Sequence, residues 1–166
     1  MKIYELQREQ TLAGEPEEVF PFFADARNLE RITPRWLGFE VVTPAPIEMG
    51  VGTLIQYRLK LHGIGVDWLT SIQTWEPGVR FVDVQVRGPY RLWHHTHTFE
   101  AGERPGTTLM RDVVKYAIGW GFAGEVAARA FVQRDVRQIF DFRRLALRRD
   151  GLEAVEDQVD AGQVAG

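Results

Sequence analysis

Two histidines one residue apart, His95 and His97, are the side chains in this sequence best placed to do chemistry, because an extended His-x-His presents both rings on one side of a strand. Trp93 and Phe99 share their parity, while His94, Thr96, Thr98 and Glu100 take the other. Two aromatic rings thus mark the His95/His97 side as the covered one. On the next extended segment Thr108, Met110, Asp112, Val114 and Tyr116 share one parity and Arg111 and Lys115 the other, which directs Asp112 inward as well. A carboxylate near two imidazoles fixes their tautomers and raises the proton affinity of its partner.

Three chemistries compete for this group. A metal site would use both rings, but no third ligand is identifiable from the spacing, and no metal or cofactor is expected. General acid–base work would use His95, His97 or Asp112 to move a proton, and these three are candidates without a firm catalytic assignment. The preferred reading is a polar network, or a hydrogen-bonding ledge that orients a carbonyl or hydroxyl of a bound molecule. Asp83 and Gln85 stay outside the preferred site, because Val82, Val84 and Val86 alternate as a buried set would; a bulge would reverse that parity. Cysteine is absent, which removes thiolate metal sites and cysteine nucleophiles. Gly50-Val51-Gly52 and Gly63-Ile64-Gly65 stand between strands and open no helix, so neither is a phosphate loop, and no G-x-S-x-G elbow occurs.

The elements that must position these groups are legible from periodicity and punctuation. Residues Ile3 to Leu12 read as a strand; Gly14-Glu15-Pro16-Glu17-Glu18 then opens a helix with Val19, Phe20, Phe22 and Phe23 on its apolar face. A short helix follows over Asn28 to Ile32, stopped by Pro34. Six strands come next, over Phe39–Thr43, Thr53–His62, Val66–Trp75, Arg80–Arg87, Arg91–Glu100 and Thr107–Tyr116, separated by Pro- and Gly-containing turns. Ile55, Tyr57, Leu59 and Leu61 share one face of the clearest strand. A long helix closes the order, roughly Phe122 to Arg148, with a stripe of Val132, Val136, Ile139, Phe140 and Leu147. The fold class is therefore α+β: a curved seven-stranded antiparallel sheet around a long C-terminal helix, with two short helices after the first strand.

Composition narrows the function. A chain of 166 residues, 45% hydrophobic, has the size and make-up of one domain, taken as residues 1–149, followed by a flexible acidic tail, 150–166, that carries Asp150, Glu153, Glu156, Asp157 and Asp160. Twenty basic and 23 acidic residues give a net charge of −3, which argues against nucleic acid as a partner. No apolar run is long enough for a transmembrane segment and the first residues lack a signal-peptide core, so a cytoplasmic protein is expected.

The order of elements, together with particular residues, resembles the SRPBCC superfamily: START-like, birch-allergen-like helix-grip proteins that include polyketide cyclases/dehydrases and coenzyme-Q-binding proteins. The matching stretches are Glu17-Glu18-Val19-Phe20, Asn28-Leu29, Ile32-Thr33-Pro34, Gly52-Thr53, Trp68 with Ile72, Trp75-Glu76-Pro77, Phe81-Val82-Asp83 and Gly88-Pro89-Tyr90. The run from Trp93 to Glu100 and Asp112-Val113-Val114-Lys115-Tyr116 complete it, so the resemblance covers roughly residues 3 to 147. It implies an internal cavity between sheet and terminal helix that receives a hydrophobic small molecule, in a superfamily that is largely free of metal.

The residues agree with a cavity. Gly119, Gly121, Ala123, Gly124, Ala127, Ala128 and Ala130 make the first half of the long helix thin where a packed core would carry Leu or Ile. Gly124, Ala127 and Ala128 are accordingly expected against the ligand, with Tyr57, Trp68, Trp93, Phe99, Met110 and Tyr116 as walls and His95, His97 and Asp112 as polar groups. The leading expectation is a protein that binds or carries a lipid, isoprenoid or polyketide-like molecule and is not an enzyme. The alternative is a cyclase, aromatase or dehydratase that uses His95, His97 and Asp112, and a second alternative is a regulatory or scaffold domain for a protein partner.

Overall fold

The first strand, β1 (Tyr4–Ala13), pairs with the last, β7 (Thr107–Ile118), so the sheet is laid down from both ends of the chain. Between them run α1 (Pro16–Ala24), α2 (Asn28–Arg31), a 3-10 turn at Arg35–Leu37, β2 (Glu40–Val41), β3 (Leu54–Leu61), β4 (Ile64–Glu76), β5 (Arg80–Arg87) and β6 (Tyr90–Ala101); α3 (Phe122–Arg149) follows β7. The computed structural model describes residues 1–118, 122–152 and 154, without the side chains of 122–130. Each predicted element is present, with ends shifted by a few residues.

All seven strands join one antiparallel sheet in the order β1-β7-β6-β5-β4-β3-β2. Since β1 and β2 occupy opposite edges, the connection through α1 and α2 crosses the mouth of the curled sheet. Glu18 helps to start that crossing: its carboxylate accepts the Glu15 backbone N–H at 2.9 Å, satisfying a donor that a helix start leaves over. Register shifts between Leu69 and Thr70 and between Ile72 and Thr74 in β4, and between Tyr90 and Leu92 in β6, add the local twist that curls the sheet.

Alternation holds on the strands that build the interior. Ile55, Tyr57 and Leu59 of β3, His95, His97 and Phe99 of β6, and Thr108, Met110, Asp112, Val114 and Tyr116 of β7 are all buried. The β5 strand corrects the sequence reading. Its cavity side carries Phe81 and Asp83, while the valines run from buried Val82 to Val86, which is 57% exposed. β-branched residues are favoured on any pleated surface, and here their alternation does not mark the cavity side of the strand.

The core divides into clusters. Leu12, Phe20, Phe23, Phe81, Phe99, Met110 and Leu147 form one; Tyr4, Val114, Tyr116, Val136 and Phe140 form a second; Ala26, Ile55, Tyr57 and Ile72 form a third. Full burial of such side chains contributes about 1.5–3 kcal/mol each.

Residues 150–152 and 154 depart from the expected flexible tail, whose remaining residues lie outside those described. Gly151 takes a left-handed conformation (φ 74°) that ends α3, with the Leu152 N–H donating to Leu147 O at 2.9 Å and the Gly151 N–H to Arg148 O at 3.1 Å. The chain then bonds to the free edge of β1: Ala13 N–H donates to Leu152 O at 2.8 Å and Ala154 N–H to Thr11 O at 3.0 Å.

Candidate functional site: a histidine pair between two aspartates

Register on three neighbouring strands sets the site. His95 on β6 lies across from Asp83 on β5, and His97 lies across from Asp112 on β7. Their inward side chains meet on the diagonals: His95 Nε2 bonds Asp112 Oδ1 at 2.9 Å and His97 Nε2 bonds Asp83 Oδ2 at 2.9 Å. The two imidazoles lie 3.7 Å apart between centroids, tilted by 36°, and Phe81 stacks on the outer side of His97 at 3.9 Å. His95 Nδ1 stands 3.6 Å from Asp83 Oδ2, and His97 Nδ1 stands 2.9 Å from Asp112 Oδ1 but off the line of a hydrogen bond. Arg143 of α3 approaches from above, with Nη1 3.6 Å from Asp112 Oδ1, its guanidinium over the rings of Phe23 and Phe140, and its Nε and Nη2 buried without a partner.

Burial and charge act together on these groups. Burial, and then His97, lower His95 to about 4 against the opposing pull of Asp112 and Asp83, so its ring is neutral near pH 7. Burial alone would raise Asp83, but the His97 hydrogen bond, His95 and Arg143 outweigh it and hold the carboxyl below its ordinary range. Burial opposes ionisation of Asp112 as well; Arg143, the bond to His95 and the nearby His97 ring overcome it and keep the group well below the usual carboxylate range. Burial, reinforced by Asp83, pushes the Tyr57 hydroxyl up, so it stays protonated.

The site forms one wall of a cavity of about 170 Å³ under α3. Asp83, His95, His97 and Arg143 face it, with Ile55, Tyr57, Leu59, Trp68 and Ile72 from β3 and β4 opposite. Phe23, Ala26, Leu29 and Ile32 of the α1–α2 segment close one end, and Ile139 and Phe140 of α3 cover it. Asp112 lies on the far side of the histidines and lines a smaller recess with Arg8, Glu9 and Asp141.

The sequence matches the family described as polyketide cyclase / dehydrase and lipid transport over residues 12–143. The chain belongs to that family. No curated protein matches it by sequence. Among solved structures that resemble this polyketide cyclase/dehydrase and lipid transport family member is the Zhui aromatase/cyclase from Streptomyces sp. R1128, 13% identical, covering 90% of this chain and 94% of that one with a TM-score of 0.71. TTHA0849 from Thermus thermophilus is 17% identical over 89% and 99% of the two chains, TM-score 0.66. A START superfamily protein from Mycobacterium smegmatis is 12% identical over 89% and 96%, TM-score 0.60. At these identities the likeness is one of fold, the helix-grip fold of the SRPBCC superfamily.

In this polyketide cyclase/dehydrase family chain, the predicted residues fall in three places. Tyr57, Trp68, Trp93, His95 and His97 line the cavity, and Asp112 backs the histidines. Phe99 and Met110 pack with Phe20 and Phe23, and Tyr116 packs with Tyr4 and Val136; these three belong to the core clusters. Gly124, Ala127 and Ala128 lie outside the described side chains. The residues not foreseen are Asp83 and Arg143, together with the α1–α2 wall. Arg143 had a signal: it sits three residues after Phe140 and four before Leu147, on the apolar stripe of α3.

Proposed function

We propose that this chain binds and carries a hydrophobic small molecule, of lipid, isoprenoid or polyketide-like character, in the cavity under α3. The observation that carries this reading is the distribution of its lining: aliphatic and aromatic side chains from β3, β4, α1, α2 and α3 make up most of it, and apart from Asp25 beside α1 the charged groups gather on the histidine wall. An apolar body is held by the first set while the ledge of Asp83, His95, His97 and Arg143 receives a polar substituent. The lipid-transport part of the family description and the START superfamily likeness support the same reading.

Trp68 and Trp93 both line the cavity and make the test direct. Titration with uncharged polycyclic aromatics should quench or shift tryptophan emission saturably, and native mass spectrometry of freshly purified protein should reveal a bound apolar molecule. Failure of both measurements would remove the reading. A second reading, a cyclase or dehydratase, draws on one observation: two imidazoles, each bonded to a carboxylate, front the cavity, which suits proton transfer to and from a bound ligand. It requires that His97→Gln abolish turnover while ligand affinity survives.

A further inference from the structure

We infer that Asp83, His95 and His97 form a binding site for a divalent first-row transition ion, open to the cavity. Asp83 Oδ2 stands 2.9 Å from His97 Nε2 and 3.6 Å from His95 Nδ1, and the three ligand atoms lie within 4.8 Å of one another. Metal bonds to imidazole nitrogen and carboxylate oxygen, about 2.0–2.2 Å long, set neighbouring ligand atoms roughly 3.0–3.4 Å apart in an octahedral or tetrahedral shell. The separations seen between strands β5 and β6 are therefore close to those that a shared ion imposes. Two imidazoles and one carboxylate select a transition ion over magnesium or calcium, which prefer all-oxygen sites.

The opposite edges of the two rings supply an independent argument. Metal-bound histidines hand their remaining ring nitrogen to a carboxylate or carbonyl that fixes the tautomer. Here Asp112 Oδ1 bonds His95 Nε2 at 2.9 Å and lies 2.9 Å from His97 Nδ1, off the line of a hydrogen bond, with Arg143 anchoring it from α3 at 3.6 Å. The two faces are also segregated in space, since the cavity touches Asp83, His95 and His97 whereas Asp112 lines the recess behind them. An ion on the Asp83 side thus has coordination positions facing the cavity, where an oxygen of a bound molecule completes the shell.

Charge points the same way. Two carboxylates, Asp83 and Asp112, stand against a single guanidinium, Arg143, so the largely water-excluded cluster is rich in anionic oxygen. An ion seated between the three atoms is satisfied by all of them. The site does not depend on the organic ligand, so it stands or falls separately from the carrier reading.

Chelator-treated protein, the whole chain, is titrated with Co²⁺ and then Zn²⁺ and followed by calorimetry and the visible Co²⁺ spectrum. One ion per chain is expected, with displacement of Co²⁺ by Zn²⁺. Asp83→Asn and His95→Gln should each weaken binding by about 100-fold or more and Asp112→Asn by about 10–100-fold. His62→Ala should leave it unchanged, because His62 is an exposed ring paired with Asp135 at 2.7 Å, remote in role from the cluster. Absence of binding to the wild type, or full retention in both ligand variants, overturns the inference. Should a variant fail to fold, X-ray absorption of the Zn²⁺-loaded wild type decides: two imidazoles in the shell support the site, and fewer overturn it.

Discussion

Arg143 Nη1 stands 3.6 Å from Asp112 Oδ1, and this contact ties the terminal helix to the same carboxylate that bonds His95 and lies 2.9 Å from His97. Asp112 is therefore held at short range from both β6 and α3, whereas the short contacts of Asp83 are to the two rings of β6.

Asp112→Asn should for that reason destabilise the fold more than Asp83→Asn. Removing one partner of a buried pair strands the other, at a cost of about 3–5 kcal/mol, and here the stranded group is a guanidinium that already has two unpaired donors. Urea melts of both variants measure the order. An equal or smaller loss for Asp112→Asn would show that Arg143 does not depend on it.

Acid should weaken the metal-free protein over a defined window. The unfolded chain protonates His95 near its ordinary value of 6.5, while the folded ring resists until about 4, so the unfolded state binds more protons between those values. Stability then falls as pH drops from about 6.5 to about 4, and the lowered Asp83 and Asp112 extend the loss to more acid conditions. Denaturation of chelator-treated protein across this range gives the slope. His95→Phe should flatten its upper part, and a flat wild-type profile would contradict the buried neutral ring.

Filling the cavity should separate binding from folding. Ala26 is 3% exposed and faces the cavity from the start of the α1–α2 crossing. Ala26→Leu places three more carbon atoms in the space, and ligand affinity should drop by about tenfold or more while the melting temperature holds within a few degrees. Unchanged affinity would mean that the ligand binds elsewhere.

Phe99 supplies the complementary case. It packs edge-on against Phe20 at 5.2 Å between centroids, within the cluster that joins α1 to the sheet. Phe99→Ala should cost about 3–5 kcal/mol by leaving a void. Phe99→Leu should cost less and leave ligand affinity untouched; an affinity change matching that of Ala26→Leu would return Phe99 to the cavity wall.

What could be read in advance depended on how many residues repeated the same message. On β6 and β7, aromatic and aliphatic neighbours of matching parity flanked His95, His97 and Asp112, and the inward orientation of all three followed. On β5 the alternating valines carry a pattern that either face of a strand could show, so the sequence leaves the direction of Asp83 open and keeps it outside the preferred site. Arg143 was obscured for another reason: a charged residue on an apolar stripe resembles the surrounding surface arginines until a buried partner for it is known. The α1–α2 wall was too short to show a period, and only the sheet order reveals that it must cross the cavity mouth.

The attachment of Leu152 and Ala154 to Thr11 and Ala13 makes the end of the last helix a guard for the first strand. An edge strand with free backbone donors and acceptors is a template for a neighbouring molecule. Trimming the chain at the end of α3 would thus do more than shorten an appendage: it would unmask a sticky border, and self-association at high concentration would be its symptom.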